Sequence, residues 1–153
     1  MTELNELHEL ALTVHDEVPR AEGEIVDAGL GASNAAAAPL HDVQPLSCFA
    51  RLASGAVIGG AVGRTWGACC ELQQLWVEPR YRRNGVGARL VREFERGALA
   101  RGCRTFYLET FSFQAPSLYR SLGYEVRLEI EGYAPEIRKY VMVRERNLND
   151  AVR

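Results

Sequence analysis

The most constraining feature of this sequence is the segment from Leu75 to Ala88, where an apolar stretch, a basic turn and a glycine-rich stretch follow one another directly. This succession predicts a strand, a turn and the start of a helix. Gly85 and Gly87 lack a Cβ and let the backbone approach a ligand closely, while the unpaired N–H groups of a helix start point the same way. Arg82 and Arg83 add positive charge beside these donors, so the segment favours a pyrophosphate through hydrogen bonds and the helix dipole. The alternative is an ordinary strand-to-helix turn with solvated arginines.

Two familiar nucleotide-binding patterns do not match this segment. A P-loop requires Lys-Ser or Lys-Thr after its second glycine, and no such pair is present here. A dinucleotide-binding fold has a third glycine and an acidic residue about 20 positions later. The pattern Arg82-x-x-Gly85-x-Gly87 instead resembles the acetyl-CoA pyrophosphate loop of the GNAT superfamily of N-acetyltransferases.

A second segment, residues 111–125, resembles the other signature of that superfamily, a short helix that carries a tyrosine and ends at Gly-Tyr or Gly-Phe. Pro116 suits the first turn of a helix, and Gly123 suits its left-handed C-terminal end. Tyr119 is turned about 100° from Leu118 and need not be buried with it. Taken alone, Tyr119 is more typical of a structural tyrosine than of a functional one. Two motifs in this order, with a helix and a strand between them, are typical of the superfamily.

The resemblance covers residues 24 to 145 and implies the GNAT fold, an α/β structure. The implied sheet is mixed and mostly antiparallel, with about six to seven strands flanked by helices, and is splayed between its fourth and fifth strands. The residue pattern itself predicts a helix from Val86 to Arg101 with an apolar stripe at steps of four. Glycines 59, 60 and 63 indicate close backbone approach or a bulge. The predicted strands are Glu24 to Leu30, Leu46 to Ala53, Ala56 to Thr65, Ala68 to Glu78, Cys103 to Phe111, Tyr124 to Ile130 and Ile137 to Arg144.

The N-terminal region is predicted as a separate helix. Apolar residues recur there at three-and-four spacing, so residues 3 to 18 form an amphipathic helix that ends before Pro19. The chain is therefore divided into an N-terminal helix or extension, residues 1–20, and a single acetyltransferase domain, residues 21–153. This helix could pack on the domain or on a second subunit, and a homodimer is one expectation. Residues 31–45 are compatible with a helix, a loop or part of each.

Composition narrows the class of protein. A chain of 153 residues that is 47% hydrophobic is long enough for one α/β domain with a core. A net charge of −2 gives no sign of attraction to nucleic acid or membranes. The sequence has no run of about 18 apolar residues and no signal-peptide start, so a cytoplasmic protein is expected. The four cysteines have no metal-ligand spacing and are predicted to be small buried groups in a reducing compartment, with no metal site.

The resemblance also implies the chemistry. Acetyl-CoA is the cosubstrate, and its acetyl group passes to a primary amine, of a small molecule or a peptide, by direct attack in a ternary complex. The implied cofactor-binding residues are Leu75, Trp76, Val77, Arg82, Arg83, Asn84, Gly85, Val86, Gly87, Ala88, Gln114, Ala115, Leu118 and Tyr119.

Glu71 and Tyr119 are the predicted catalytic residues. A lysine-like amine has a pKa of about 10.4, so a base must remove its proton before it attacks. Glu71 matches the position of a general-base glutamate in some members, and strand alternation would put it on one face with residues 73, 75 and 77. Glu109 is the second candidate, and a base acting through water is a third. The resemblance places Tyr119 near the leaving thiolate, as a proton or hydrogen-bond donor, and a backbone N–H around Val77 near the oxyanion.

Two other classes of protein stay open from the sequence. One is a non-catalytic acyl-CoA-binding or regulatory module of the same fold. The other is an unrelated phosphate-binding or interaction protein whose working surface is the N-terminal helix. The presence of both Tyr119 and Glu71 favours the enzyme. The acceptor is open between an antibiotic, a polyamine, an amino acid, a peptide N-terminus and a protein lysine.

Overall fold

The computed structural model of the protein describes residues 10–147. The chain divides into two compact units, one that ends at Leu40 and one that begins at His41.

The first unit contains one α-helix within its described residues, α1, which spans Arg20–Ala37. The predicted strand from Glu24 to Leu30 is wrong, because α1 runs through it. The helix predicted over residues 3–18 is wrong from residue 10 onward, where no helix forms, and its earlier part lies outside the described residues. Alanine-rich sequence up to residue 38 favours α1, and this propensity outweighs the short β-type run. The division into residues 1–20 and 21–153 stays a prediction.

The second unit is a six-stranded sheet with helices. Its order, β1-β2-β3-β4-β6-β5, is antiparallel throughout except for the parallel pair β3 and β4. This confirms the predicted α/β fold with its mixed, mostly antiparallel sheet, and the element order after residue 45. The strands are β1 Gln44–Arg51, β2 Val57–Trp66, β3 Cys69–Val77, β4 Thr105–Phe111, β5 Glu125–Ala134 and β6 Ile137–Glu145, and the helices are α2 Val86–Ala100 and α3 Pro116–Ser121. Short 3-10 turns span Leu40–Asp42 and Pro79–Tyr81.

The core lies between the sheet and α2. Leu90, Phe94 and Ala98 are buried in it, and Val86 packs against its edge, which confirms the predicted stripe. Each residue of this stripe follows the previous one by four, so all of them face the sheet.

The parallel pair β3 and β4 separates part-way along its length. Pairing runs from Cys69 opposite Thr105 to Leu72 opposite Leu108 and stops there, although both strands continue further. These two strands are the predicted fourth and fifth, renumbered because residues 24–30 form no strand. The predicted splay is therefore confirmed. Among the described residues, 10–147, no strand pairs with this edge of β3 beyond Leu72.

The four cysteines are free thiols, but their environments differ. Cys70 and Cys103 are buried, as predicted, and burial raises the pKa of Cys70 to about 12. Cys48 is only half-buried. Cys69 is exposed, so the prediction is wrong there. It occupies the first position of β3, where its side chain points away from the core that Cys70 enters.

Candidate active site

The glycine-rich loop ends in a helix start with free donors. Gly85 has a φ of 75°, in the left-handed region, and its carbonyl accepts the first helical hydrogen bond, from the Arg89 N–H at 3.1 Å. The N–H groups of the first turn of α2, at residues 86–88, therefore have no acceptor within the helix. These N–H groups lie at the positive end of the helix dipole, so hydrogen bonds and the dipole both favour binding of an anion at the start of α2.

Side chains of the loop hold it against the end of β3. Arg82 donates from Nε to the Val77 carbonyl at 2.8 Å. Asn84 donates from Nδ2 to the Arg82 carbonyl at 3.0 Å, which closes the turn. Arg83 has a positive φ of 62°. The hydrogen bond from the Asn84 amide to the Arg82 carbonyl therefore stabilises the conformation of the loop itself.

A cleft of about 980 Å³ runs from this loop into the gap between β3 and β4. Every predicted cofactor-binding residue lines it except Asn84. Leu72, Gln73, Gln74, Glu109, Thr110, Phe113 and Ser117 also line it, and none of them was predicted to bind the cofactor.

A β-bulge at Gln73 changes the predicted facing of β3. Val62 of β2 is opposite Gln74 and Gly63 is opposite Leu72, so Gln73 has no partner. A Cβ on Gly63 would lie 1.9 Å from the Glu71 carbonyl oxygen, so only glycine allows this approach.

The bulge reverses which side chains face the core. Glu71 lies on the face opposite the buried Leu72, whereas Val77 is buried in the core and Leu75 packs against it. The prediction that these residues share a face with Glu71 is therefore wrong, because an inserted residue shifts the alternation by one.

The main chain of β3 faces the cleft at alternate residues. The Glu78 N–H donates to the Ile58 carbonyl at 2.8 Å, so residue 78 points its main-chain groups at β2. Main-chain groups alternate in direction along a strand, so those of Leu75 and Val77 point at the open edge. The Val77 carbonyl is taken by Arg82, which leaves the Val77 N–H facing the gap.

A second cavity of about 320 Å³ adjoins the cleft. Glu71 and Glu109 both line it, and they come from β3 and β4, respectively. Glu109 also lines the cleft, and within residues 10–147 it is the one titratable residue that borders both. The two cavities share Leu72, Gln73, Glu109, Thr110 and Gln114.

Each of the two carboxylates has a basic partner. Glu71 Oε2 accepts from Arg64 Nε at 2.7 Å, and its side chain is 21% exposed. Glu109 Oε2 lies 2.8 Å from Lys139 Nζ, and its side chain is 55% exposed. The hydrogen bond to Glu109 raises the pKa of Lys139, which therefore stays charged.

Tyr119 lies in the cleft on α3, and it is buried. Burial raises its pKa, so the hydroxyl keeps its proton at neutral pH. Its ring meets that of Tyr124 edge-on, with centroids 6.0 Å apart. Gln114 caps the end of β4 before α3, since its Oε1 accepts from the Phe111 N–H at 2.8 Å.

A buried ionic cluster that was not predicted from the sequence surrounds Glu95. Glu95 of α2 is 1% exposed and accepts from the Tyr124 hydroxyl at 3.0 Å and from Arg144 Nη1 at 2.9 Å. Arg146 Nη2 lies 3.3 Å from the same carboxylate. The sequence did contain one signal for this cluster: Glu95 follows the buried Val91 by four residues and so falls inside an otherwise apolar stripe of α2.

No group of three or more His, Cys, Asp or Glu side chains in residues 10–147 is arranged to hold a metal ion. Over the same residues, no helix has the length and apolar character needed to cross a membrane.

A splayed sheet whose gap joins a glycine-rich helix start to a buried tyrosine is the arrangement that the resemblance to acyltransferases implied. The chain belongs to the acetyltransferase (GNAT) family, whose model matches residues 6–124. The predicted membership is confirmed, and the protein is an acetyltransferase.

Similar proteins agree with this assignment. Blasticidin-S acetyltransferase of Streptomyces morookaense is 33% identical over 111 residues, which are 70% of this chain and 82% of that protein. Thialysine N-epsilon-acetyltransferase of Sus scrofa is 33% identical over 72 residues, 45% of this chain and 42% of that protein. The crystal structure of an acetyltransferase from Bacillus cereus superposes with a TM-score of 0.75 at 25% identity and covers 88% of this chain and 98% of that one.

Proposed function

We propose that this acetyltransferase moves the acetyl group of acetyl-CoA to a primary amine by direct attack in a ternary complex. The observation that carries the proposal is the continuity of the site: one cleft joins the helix start at residues 86–88 to Tyr119 and adjoins a cavity that carries two carboxylates. A thioester and an amine can therefore meet where the two cavities share their wall. The names of both curated relatives describe acetyltransferases, and that of the second specifies an amine nitrogen.

The cofactor is proposed to bind along the cleft. The N–H groups at the start of α2 bind the pyrophosphate, and Arg82 and Arg83 add charge. The pantetheine arm follows the open edge of β3, where the main-chain groups of Leu75 and Val77 replace strand pairing. The Val77 N–H then faces the carbonyl oxygen on which negative charge develops.

Tyr119 is the proposed donor to the leaving group. The amine nitrogen attacks the thioester carbonyl carbon and forms the C–N bond of a tetrahedral intermediate. This intermediate then collapses, the C–S bond breaks, and the thiolate leaves. Proton transfer from a tyrosine, with a pKa near 10, to the thiolate of a thiol with a pKa near 8.5 is slightly unfavourable in free energy. A hydrogen bond from the tyrosine to sulfur therefore supplies much of the stabilisation. Burial raises the pKa of Tyr119 further, which favours hydrogen bonding over full transfer.

The base is proposed to be one of two carboxylates. Glu71 matches the superfamily position, but it lines only the smaller cavity and is hydrogen-bonded to Arg64. Glu109 borders both cavities and is more exposed. Either one can take the proton of the amine directly or through water.

Substitution of each carboxylate by glutamine distinguishes which of the two is the base. Substitution of the true base by Gln is expected to lower kcat/KM at neutral pH by about a hundredfold or more and to remove the acid limb of the pH profile. The other variant changes the rate severalfold and keeps that limb. Retention of the acid limb in both Glu71→Gln and Glu109→Gln would contradict a carboxylate base.

The function is tested by release of coenzyme A and by the mass of the product, with a panel of amines that includes blasticidin S and thialysine. The wild type is expected to acetylate at least one amine, and Tyr119→Phe to lose tenfold or more in kcat with little change in acetyl-CoA affinity. Tight binding of acetyl-CoA without transfer to any amine would favour the non-catalytic acyl-CoA-binding module instead.

A homodimer, a cytoplasmic location and indifference to nucleic acid and membranes stay predictions from the sequence. Support for self-association is limited to exposed apolar side chains on α1, among them Ile25 and Val26. Light scattering of the purified chain tests it: twice the mass of the chain is expected, and the mass of one chain would contradict the prediction.

A further inference from the structure

Three aromatic rings lie together beside the two cavities. Phe111 and Phe113 stack nearly parallel, at 9° with centroids 5.3 Å apart, and Tyr133 meets Phe111 edge-on at 5.2 Å. We call these three residues the aromatic shelf. Phe111 lines the smaller cavity and Phe113 lines the cleft, so the shelf borders the place where the two adjoin.

One face of this shelf is open. Phe113 is 67% exposed, and within residues 10–147 Phe111 is the one ring that stacks on it. Small-molecule sites are typically lined by aromatic side chains with a few polar groups that fix orientation. The exposed ring of Phe113 supplies the aromatic part of such a site, and the polar cavity beside it supplies the groups that fix orientation.

The polar part of the site suits a cation. Glu71 and Glu109 contribute two carboxylates, each of which meets its basic partner, Arg64 or Lys139, through Oε2. Tyr107 contacts Glu71 from β4. The Lys139 ammonium also lies 5.4 Å from the centre of the Phe111 ring. Lys139 shows that an ammonium can be held by a carboxylate and a ring of the shelf together, which is the combination the ammonium of an aromatic amine would use.

We propose that the preferred acceptor is a primary amine that carries a flat aromatic ring on a short linker. The ring packs on the open face of Phe113, and the ammonium enters beside Glu109, where it loses a proton to the base. The new C–N bond forms at the acetyl carbon, the C–S bond breaks, and the thiolate takes a proton to give free coenzyme A. This inference rests on the proposed function, because it names the acceptor class of the same site.

A matched pair of amines tests it: 2-phenylethylamine and 2-cyclohexylethylamine share charge and linker and differ in the ring. The cyclohexyl ring has the larger apolar surface, so a merely hydrophobic pocket prefers it. Ring–ring attraction is worth about 0.5–1.5 kcal/mol beyond burial, so kcat/KM is expected to favour the phenyl amine about two- to tenfold.

Variants assign the preference to the shelf. Phe113→Leu, which keeps an apolar side chain but no ring, is expected to abolish the preference, and Phe113→Tyr to keep it. Trp66→Leu is the matched control, since Trp66 is an exposed aromatic residue, 43% exposed, that lines neither cavity. Acetyl-CoA affinity is measured for each variant, so that an effect of Phe113 on cofactor binding is separated from its effect on the choice of acceptor.

The outcomes separate this inference from the function on which it rests. Equal or reversed kcat/KM for the two amines, or a preference that survives Phe113→Leu, would overturn the acceptor class while acetyl transfer stands. Transfer to neither amine, by protein that acetylates an aliphatic polyamine, would overturn it equally. Failure of the wild type to bind acetyl-CoA would instead refute the proposed function.

Discussion

Removal of the Glu95 carboxylate is expected to destabilise the fold far more than removal of an exposed glutamate from the same helix. The carboxylate is the shared acceptor for Arg144, Arg146 and the Tyr124 hydroxyl, and it is 1% exposed. Glu95→Ala leaves two guanidinium groups and a buried hydroxyl without their acceptor. Breaking a buried charge pair from one side costs about 3–5 kcal/mol. The arginine side chains are 23% exposed and can regain water, which favours the lower end, about 3 kcal/mol.

Glu93 on the same helix is the matched control. Its carboxylate pairs with Arg96 at the surface, and its side chain is 51% exposed. Surface pairs of this kind contribute about 0.3–0.5 kcal/mol. Both substitutions exchange glutamate for alanine in α2 and have nearly equal effects on helix propensity. The difference between them therefore reports the buried cluster.

The assay is urea unfolding followed by circular dichroism. Glu95→Ala is expected to lower the free energy of unfolding by about 3 kcal/mol with the slope m unchanged, and to lower Tm by roughly 6–12 °C. Glu93→Ala is expected to stay within about 0.5 kcal/mol of the wild type. Glu95→Gln, which keeps one acceptor oxygen, falls between the two and is the variant to use if Glu95→Ala does not fold. Equal costs for Glu95→Ala and Glu93→Ala would refute this reasoning.

Three other predictions concern the bulge, a thiol and the buried tyrosine. Gly63→Ala is expected to lower the urea midpoint strongly, because its Cβ would lie 1.9 Å from the Glu71 carbonyl oxygen. Gly97→Ala in α2 is the control and should change the midpoint little, because its Cβ would meet a leucine methyl at 3.2 Å. Native protein is expected to react with a thiol reagent fast at Cys69 and slowly at the two buried cysteines; a fast phase that survives Cys69→Ser would contradict this. Burial raises the pKa of Tyr119, so the folded state holds this proton more tightly, and stability is expected to fall as pH rises above about 10. Tyr119→Phe should reduce that loss, and an unchanged midpoint between pH 9 and 11 in the wild type would contradict it.

The sequence predicted those parts of the structure that are determined locally. The helix from Val86 and the short helix with Tyr119 follow from glycine and proline positions and from apolar spacing within a few residues. The strands after residue 43 follow from alternation and turn residues. The splay followed from the resemblance, since no local pattern marks where β3 and β4 part.

The features that the sequence analysis missed depend on contacts between distant segments. The glycines of β2 did indicate a close approach or a bulge, and Gly63 confirms it. The sequence did not indicate that the extra residue would be Gln73 of β3, which reversed the facing of Leu75 relative to Glu71. The aromatic shelf joins Phe111 of β4 to Tyr133 of β5, and no spacing rule predicts that contact. Residues 24–30 were misread because a short β-type run cannot be separated from a helix segment by periodicity alone.

Binding of acetyl-CoA at the start of α2 is the central claim, and calorimetry of the wild type with Gly85→Glu and Gly55→Glu tests it most directly. Both glycines have a positive φ, 75° and 87°, with nothing within 4 Å of an added Cβ, so the two variants carry similar strain and the same charge. Gly85 lines the cleft, whereas Gly55 lies in the turn between β1 and β2. The account predicts micromolar binding by the wild type and by Gly55→Glu, and loss of binding in Gly85→Glu. Equal affinity in all three proteins, or no binding by well-folded wild type, would contradict it.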